Sequence, residues 1–391
     1  MGNGNVWIKN IKTIYTGFEK IENAGIFVSE GKIECIISEK EQFEPSEGFE
    51  VIDANHEWNA MPGFIDGHIH GGYGVDVMDA DVHSLQMLAE KLPSEGTTSY
   101  LATTITQSPE EIEKALSNVY SFENQAGTAE MMGVHLEGPF VEVSKAGAQP
   151  KEYIVQPDLD QFRHWQQISG NNIRTITMAP EHDANGEFIK YLHESGVNVS
   201  AGHTDASFSQ MKTAVSQGVR QLTHLCNAMN GIHHRGIGAV GAAFQLEDLR
   251  AELITDGIHV VPEMMQLIYD SMGSERIIII TDAMRAKGLE DGDYELGGQP
   301  VTVKEGRATL ANGSLAGSVL RMIDGVKNML GLEGVSIEDV IQMASVNPAK
   351  QVGIFDQKGS IEVGKHADIL LVNNELDIQY TICRGKTAYR K

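Results

Sequence analysis

The sequence predicts an α/β protein: a (β/α)8 TIM barrel carrying a small β-sandwich domain built from both chain termini. Three observations carry that expectation. Residues 59–353 alternate apolar β-like segments with amphipathic helical ones, and eight such segments stand out as candidate buried strands. Residues 1–58 and 354–391 both read as β, and neither end is long enough to bury a core alone. The competing doubly wound sheet usually shows a Gly-rich phosphate loop after an early strand, and neither G-x-G-x-x-G nor G-x-x-x-x-G-K-[ST] occurs.

Taken in order, the N-terminal region gives β segments at Val6 to Tyr15, Gly25 to Val28 and Lys32 to Ile37, the last two joined by a turn at Ser29-Glu30-Gly31. The candidate barrel strands are Phe64 to His68, Thr98 to Thr103, Met132 to Leu136, Ile173 to Met178, Val197 to Ala201, Gln221 to His224, Ala251 to Ile254 and Ile277 to Thr281. Between them, Ile112, Ala115, Leu116 and Val119 fall at helical spacing over Pro109 to Tyr120, with Ser108 as N-cap, Pro109 in the first turn and Glu111 placed for a capping box. Leu85, Leu88, Ala89 and Leu92 form a second stripe, and Phe208, Met211 and Val215 a third. After the eighth strand, Gly288 to Gly317 is rich in Gly and Asp and holds β-like Gln299 to Lys304 and Arg307 to Leu310, expected to form a hairpin over the barrel mouth. A last helix is expected from Ser336 to Ser345, ending before Asn347-Pro348. The C-terminal β segments are Ser360 to Val363, Ala367 to Val372, Gln379 to Cys383 and Lys386 to Arg390.

Bulk properties narrow the function. Apolar residues make up 41% and charged residues 21%, an ordinary globular composition. Thirty Lys+Arg against 54 Asp+Glu give a formal net charge of −24, which argues against nucleic acid or an anionic membrane as partner. Three widely spaced cysteines, Cys35, Cys226 and Cys383, suit a reducing compartment, and the Met1-Gly2-Asn3-Gly4 start shows no basic and apolar leader. The expectation is a cytoplasmic protein without a membrane span.

Five of the eight candidate strands end in residues able to bind a metal or move a proton. The first delivers His68-Ile69-His70, whose two rings share one face of a strand because side chains alternate. The third delivers Glu137, the fifth His203, the sixth His224 and the eighth Asp282. In a parallel barrel these ends converge on the face where such barrels keep their active sites. A single strand-end histidine is commonly a hydrogen-bonded structural residue, and Glu137 or Asp282 alone could cap a helix. Four imidazoles and two carboxylates together are not explained by capping and packing. The set suits a divalent metal, with Zn²⁺, Fe²⁺, Mn²⁺, Co²⁺ and Ni²⁺ all open.

At this point the chain resembles a known family. The strand-end pattern looks like the amidohydrolase superfamily, and the segments HLEGPF (135–140), SAGHTDA (200–206), THLCNAMN (223–230), ITDGIHV (254–260) and ITDAM (280–284) are similar, in order, to the N-acetylglucosamine-6-phosphate deacetylases within it. The resemblance implies hydrolysis of N-acetyl-D-glucosamine 6-phosphate to D-glucosamine 6-phosphate and acetate, in amino-sugar catabolism or cell-wall recycling. It implies that Glu137, His203 and His224 hold one metal and that His68 and His70 hold a second, so that two ions are expected. The fourth strand ends in Met178-Ala179-Pro180-Glu181 without the bridging lysine of other superfamily members. Asp282 matches the catalytic aspartate, which takes a proton from water and gives it to the departing amine while the metal polarises the carbonyl. Substrate contacts are implied at Asn227, Ala228 and His259, with Arg235 as phosphate ligand from the same or a neighbouring subunit, and hence a homodimer. Gln149 stands where some members carry a histidine that touches the substrate carbonyl. The alternatives are another amidohydrolase acting on a cyclic amide or aminated heterocycle, and a catalytically silent barrel used as a binding module.

Overall fold

The computed structural model describes residues 4–39, 41 and 48–391; Met1, Gly2 and Asn3 of the N-terminal stretch read above lie outside them. Eight parallel strands run in order round the barrel: Phe64–Ile69, Thr97–Thr104, Glu130–Glu137, Ile173–Met178, Asn198–Ala201, Val219–Leu222, Arg250–Ile254 and Ile277–Ile280. Every residue of the first, second and eighth is buried, as expected of strands covered by helices outside and by packed side chains within. Closure between the first and eighth strands comes at their C-terminal ends, where Asp282 N–H donates to His68 O at 2.8 Å and His70 N–H to Ala283 O at 2.9 Å. Lower down, the buried Asp66 carboxylate spans the same join, accepting from Thr281 Oγ1 at 2.5 Å and Thr281 N at 3.2 Å.

The helices follow their signals with two differences. Pro109–Ser121 is capped by Ser108, which accepts from Glu111 N, and it buries Ile112, Ala115, Leu116 and Val119; the expected capping box is only half made, because the Ser108 N–H goes to Gln107 Oε1 instead of Glu111. The last helix does not stop before Pro348: Ile337–Ile341 passes through a π-helical turn, Gln342–Val346, into Asn347–Gln351. The wide turn shifts the hydrogen-bond register so that Pro348 falls in the first turn of the following helix, where its missing N–H costs little. Buried Asn347 then ties this helix to the barrel floor by donating to Ser274 O and Ile277 O.

The termini form one mixed eight-stranded sheet in which Val6–Tyr15 pairs with Lys20–Ser29, Glu50–Asp53 and Asn59–Pro62, and the last joins Ile369–Val372, Ile378–Cys383 and Lys386–Arg390. The sheet curls so that Ile33 N–H reaches Lys365 O at 2.9 Å and Gly364 N–H reaches Ile33 O at 2.8 Å. One face buries Ile8, Ile26, Ile369 and Ile382 in a core of its own, while Met61, Leu370 and Val372 pack into the barrel core. Ser360 to Val363 is not a strand. Its polar side chains bond to one another instead, Ser360 Oγ to Glu362 and Lys365 Nζ to Ser360 Oγ, which favours a turn. The excursion after the eighth strand is a three-stranded meander, Gly292–Leu296, Gln299–Lys304 and Arg307–Thr309, whose Leu296, Val301 and Val303 pack with Ile105 and Met284 at the mouth.

Candidate metal centre and active site

Three of the four single strand-end ligands are placed by the same backbone device; Glu137 instead ends its strand in ordinary extended conformation. The fifth, sixth and eighth strands end at Ala201, Leu222 and Ile280, and two residues later His203, His224 and Asp282 adopt positive φ of 47°, 32° and 48°. Left-handed backbone is uncommon for residues with a Cβ and costs about 1 kcal/mol or more each. Here it turns the chain so that each side chain points inward over the barrel axis. Sequence placed His224 inside its strand; the strand ends two residues earlier.

The six side chains meet. Glu137 Oε1 lies 3.2 Å from both His203 Nε2 and His224 Nε2, which are 3.1 Å apart. Glu137 Oε2 lies 3.3 Å from His70 Nε2, and Asp282 Oδ1 is 3.3 Å from His70 Nε2 and 3.4 Å from His68 Nε2. Two trios result, Glu137/His203/His224 and His68/His70/Asp282, joined through Glu137 and all buried. Electrostatics show what the site lacks. Burial opposes charge on His68, yet the carboxylates of Asp282, Glu252 and Glu137 outweigh it and lift its pKa to about 9. His70 is likewise raised well above the usual imidazole range against its burial by Asp282 and Glu137. Burial would raise the carboxyls, but the rings hold Asp282 at about 2 and Glu137 well below its usual range. Buried His68 Nε2 has no hydrogen-bond partner. Convergent imidazole lone pairs and ionised carboxylates, out of water and short of positive charge, are a donor set that fits a divalent cation.

Support comes from two sources that sequence reading had not used. Around the first trio it comes from the mouth: His203 Nδ1–H donates to Lys145 O at 2.8 Å, and Gln149 Nε2 donates to Glu137 Oε2 at 2.8 Å. Gln149 Oε1 is taken by Thr106 N–H at 2.9 Å, which fixes the amide so that its N–H groups face the site. Glu181, beyond the fourth strand, accepts from Thr204 Oγ1 and Asp205 N and anchors the loop that carries His203. Under the second trio it comes from within the barrel, where His68 Nδ1 meets Glu252 Oε2 at 3.0 Å. His135 packs edge-on against His68 at 4.5 Å, bonds Thr177 Oγ1 and is held neutral by burial and by the charge on His68. Both residues carried a legible signal: Glu252 is a charge inside an apolar strand, and His135 sits two before Glu137, hence on the same face.

A cavity of about 340 Å³ opens over the trios. Of the sequence-predicted contacts, Gln149, Asn227, Ala228 and His259 line it. His259 Nδ1 is fixed by Asp256 Oδ2 at 2.7 Å. Arg235 does not line it; it sits on an exposed turn, His233 to Gly236, with Nη1 2.6 Å from His234 Nε2. Ser314, Leu315 and Leu296 of the meander region close the far wall.

Residues 59–388 match the model of the amidohydrolase family. The chain belongs to the amidohydrolase family. It is 44% identical to the N-acetylglucosamine-6-phosphate deacetylase of Bacillus subtilis (strain 168), over 98% of this chain and 96% of the relative. It is 38% identical to an N-acetylgalactosamine-6-phosphate deacetylase of Escherichia coli O157:H7, over 84% of this chain and 87% of that one. The crystal structure of N-acetylglucosamine-6-phosphate deacetylase from Pasteurella multocida superposes with a TM-score of 0.90 at 30% identity, covering 99% of this chain and 100% of that one.

Proposed function

We propose that this protein is a metal-dependent deacetylase that hydrolyses N-acetyl-D-glucosamine 6-phosphate to D-glucosamine 6-phosphate and acetate. The observation that carries the reading is the pair of buried trios sharing Glu137 beneath a sugar-sized cavity, in a chain 44% identical to a deacetylase of that substrate. Glu137, His203 and His224 would hold one divalent ion and His68 and His70 a second, with Glu137 reaching both. When bound, the metal supplies a Lewis acid that polarises the acetyl carbonyl and lowers the pKa of water. The protein's own groups do the rest. Asp282 is ionised and faces the site, so it takes the proton of the attacking water at Oδ1 and returns it to the leaving nitrogen, which cannot depart as an anion. Gln149 steadies Glu137 from the cavity wall. The backbone N–H of Ala228 and the ring of His259, with Asn227 beside them on the cavity wall, bind the sugar phosphate, and Arg235 is supplied by the neighbouring subunit of a homodimer; the Asn227 N–H itself donates to His224 O. The place of action is the cytoplasm; among the described residues no helix is long and apolar enough to cross a membrane.

The test is acetate release from N-acetylglucosamine 6-phosphate with and without a chelator, and from the galactosamine epimer in parallel. The reading predicts chelator-sensitive release with the glucosamine substrate favoured. Release unaffected by complete metal removal overturns the metal reading, and preference for the epimer overturns the sugar assignment.

A further inference from the structure

The interior support of His68 does not end at Glu252. Arg250 Nη1 donates to Gln351 Oε1 at 2.8 Å, Gln351 Nε2 donates to Asn198 Oδ1 at 2.6 Å, and Asn198 Nδ2 donates to Gln221 Oε1 at 3.0 Å. Gln221 Nε2 then donates to Glu252 Oε1 at 2.6 Å, and Glu252 Oε2 faces His68 Nδ1 at 3.0 Å. The row starts at the barrel floor, where Arg250 and Asn198 open their strands and Gln351 closes the last helix, and it finishes at the mouth. Glu252 and His68 lie on the seventh and first strands, which are not neighbours, so their contact crosses the barrel interior.

The polarity of this row is set at its ends. Arg250 has donors only and an ionised carboxylate accepts only. Each amide between them therefore has one usable orientation, oxygen toward Arg250 and nitrogen toward Glu252. An inverted amide would set donor against donor, and the fault could only be passed along to an arginine unable to accept. At the far end the carboxylate requires His68 to carry hydrogen on Nδ1, so Nε2, which faces Asp282 and Glu137, is the nitrogen that would offer its lone pair to a bound ion.

We propose that Glu252 is a positioning residue: it terminates a one-way hydrogen-bond row from Arg250 and thereby fixes the tautomer and orientation of His68 for the second metal. Glu252 Oε2 also accepts from the backbone N–H of His224 at 3.3 Å, so the same carboxylate touches the supports of both trios. The proposal rests on the metal reading above, and its test separates the two.

Metal-stripped full-length protein is titrated with Zn²⁺ alone by calorimetry, for wild type, Glu252→Gln and the exchange variant Glu252→Gln/Gln221→Glu. In the single variant the new amide must aim its NH2 either at Gln221 Nε2 or at His68 Nδ1; the second choice places the ring hydrogen on Nε2. The expected result is a roughly 10- to 100-fold weaker second site with the first site retained. The exchange variant restores the order of donors and acceptors, since a carboxylate at 221 accepts from Asn198 on one side and from the new amide on the other. It is expected to recover most of the lost affinity, which a merely space-filling role for Glu252 does not explain. Wild-type binding by Glu252→Gln overturns the proposal, as does an exchange variant that melts like wild type without recovering affinity, or failure of both variants to fold. A wild-type chain that takes up no Zn²⁺ overturns the metal reading itself and this proposal with it.

Discussion

The two trios are built from similar residues but are held in opposite ways. His203 is locked by a loop carbonyl, Lys145 O, and Glu137 by Gln149, so the first trio depends on the segment from Glu142 to Gln149 at the mouth. His68 is locked by Glu252 and the strand join by Asp66, so the second trio depends on the interior of the barrel. Each trio has one ring with a partner on its second nitrogen and one without: Nδ1 of His70 and of His224 have no hydrogen-bond partner. The difference teaches that the two sites should fail separately. Loop changes act mainly on the first and core changes mainly on the second; Glu137 is common to both, and Glu252 touches the first through the backbone N–H of His224.

The largest effect should come from Asp282, which belongs to the interior-held trio but whose proposed role is proton transfer. Asp282→Asn should keep the fold and lower turnover about 10²- to 10⁴-fold in steady-state assays; near-wild-type turnover would remove Asp282 from the mechanism. A third charged cluster, which contains no candidate metal ligand, sharpens the contrast by pH. At the seam between barrel and terminal sheet, burial would raise the Glu130 carboxyl, yet His366, Lys358 and Arg384 hold it at about 2. A depressed carboxylate contributes stability that is complete above its unfolded value of about 4.5 and is lost as pH falls toward 2. Thermal melting between pH 6 and pH 3 should therefore show wild type losing on the order of 2 kcal/mol more than Glu130→Gln, the rest being lost only below pH 3. Parallel curves for the two proteins would show that the seam is not held by this charge.

Smaller effects probe the mouth. Gln149→Leu removes the donor to Glu137 and the acceptor for Thr106 N–H, so first-site metal affinity should fall about tenfold, with a smaller loss at the second site, which shares Glu137. Equal loss at both sites would contradict separate support. Gly138 follows Glu137 at φ +72°, and a Cβ there would lie 2.1 Å from Thr106 Oγ1. Gly138→Ala should cost about 1–3 kcal/mol in a denaturant melt; an unchanged midpoint would show that the turn relaxes freely.

Much of this was legible because the barrel announces itself by period and by its strand ends. Four isoleucines in a row followed by Thr281-Asp282 read as a buried strand delivering a carboxylate, and the two-residue spacing of His68 and His70 put both rings on one face. What the supports act on was not legible, for physical reasons, even where a residue such as Glu252 stood out in its strand. Gln149 acts through which end of its amide is occupied, and that depends on Thr106, 43 residues away. Glu252 acts across the barrel on a residue 184 positions distant. Positive φ at His203, His224 and Asp282 leaves no local trace, because tertiary packing imposes it on residues that do not prefer it. Ser336 correctly marked the start of the last helix, but the π-helical turn that carries the chain through Pro348 has no such signal.

The most direct measurement is the number of ions per protomer in the His68→Asn/His70→Asn double variant beside wild type, by elemental analysis after dialysis. Separate support of two sites predicts two ions in wild type and one in the variant, the retained ion held by Glu137, His203 and His224. Equal counts in the two proteins, or loss of every ion from the variant, would contradict it.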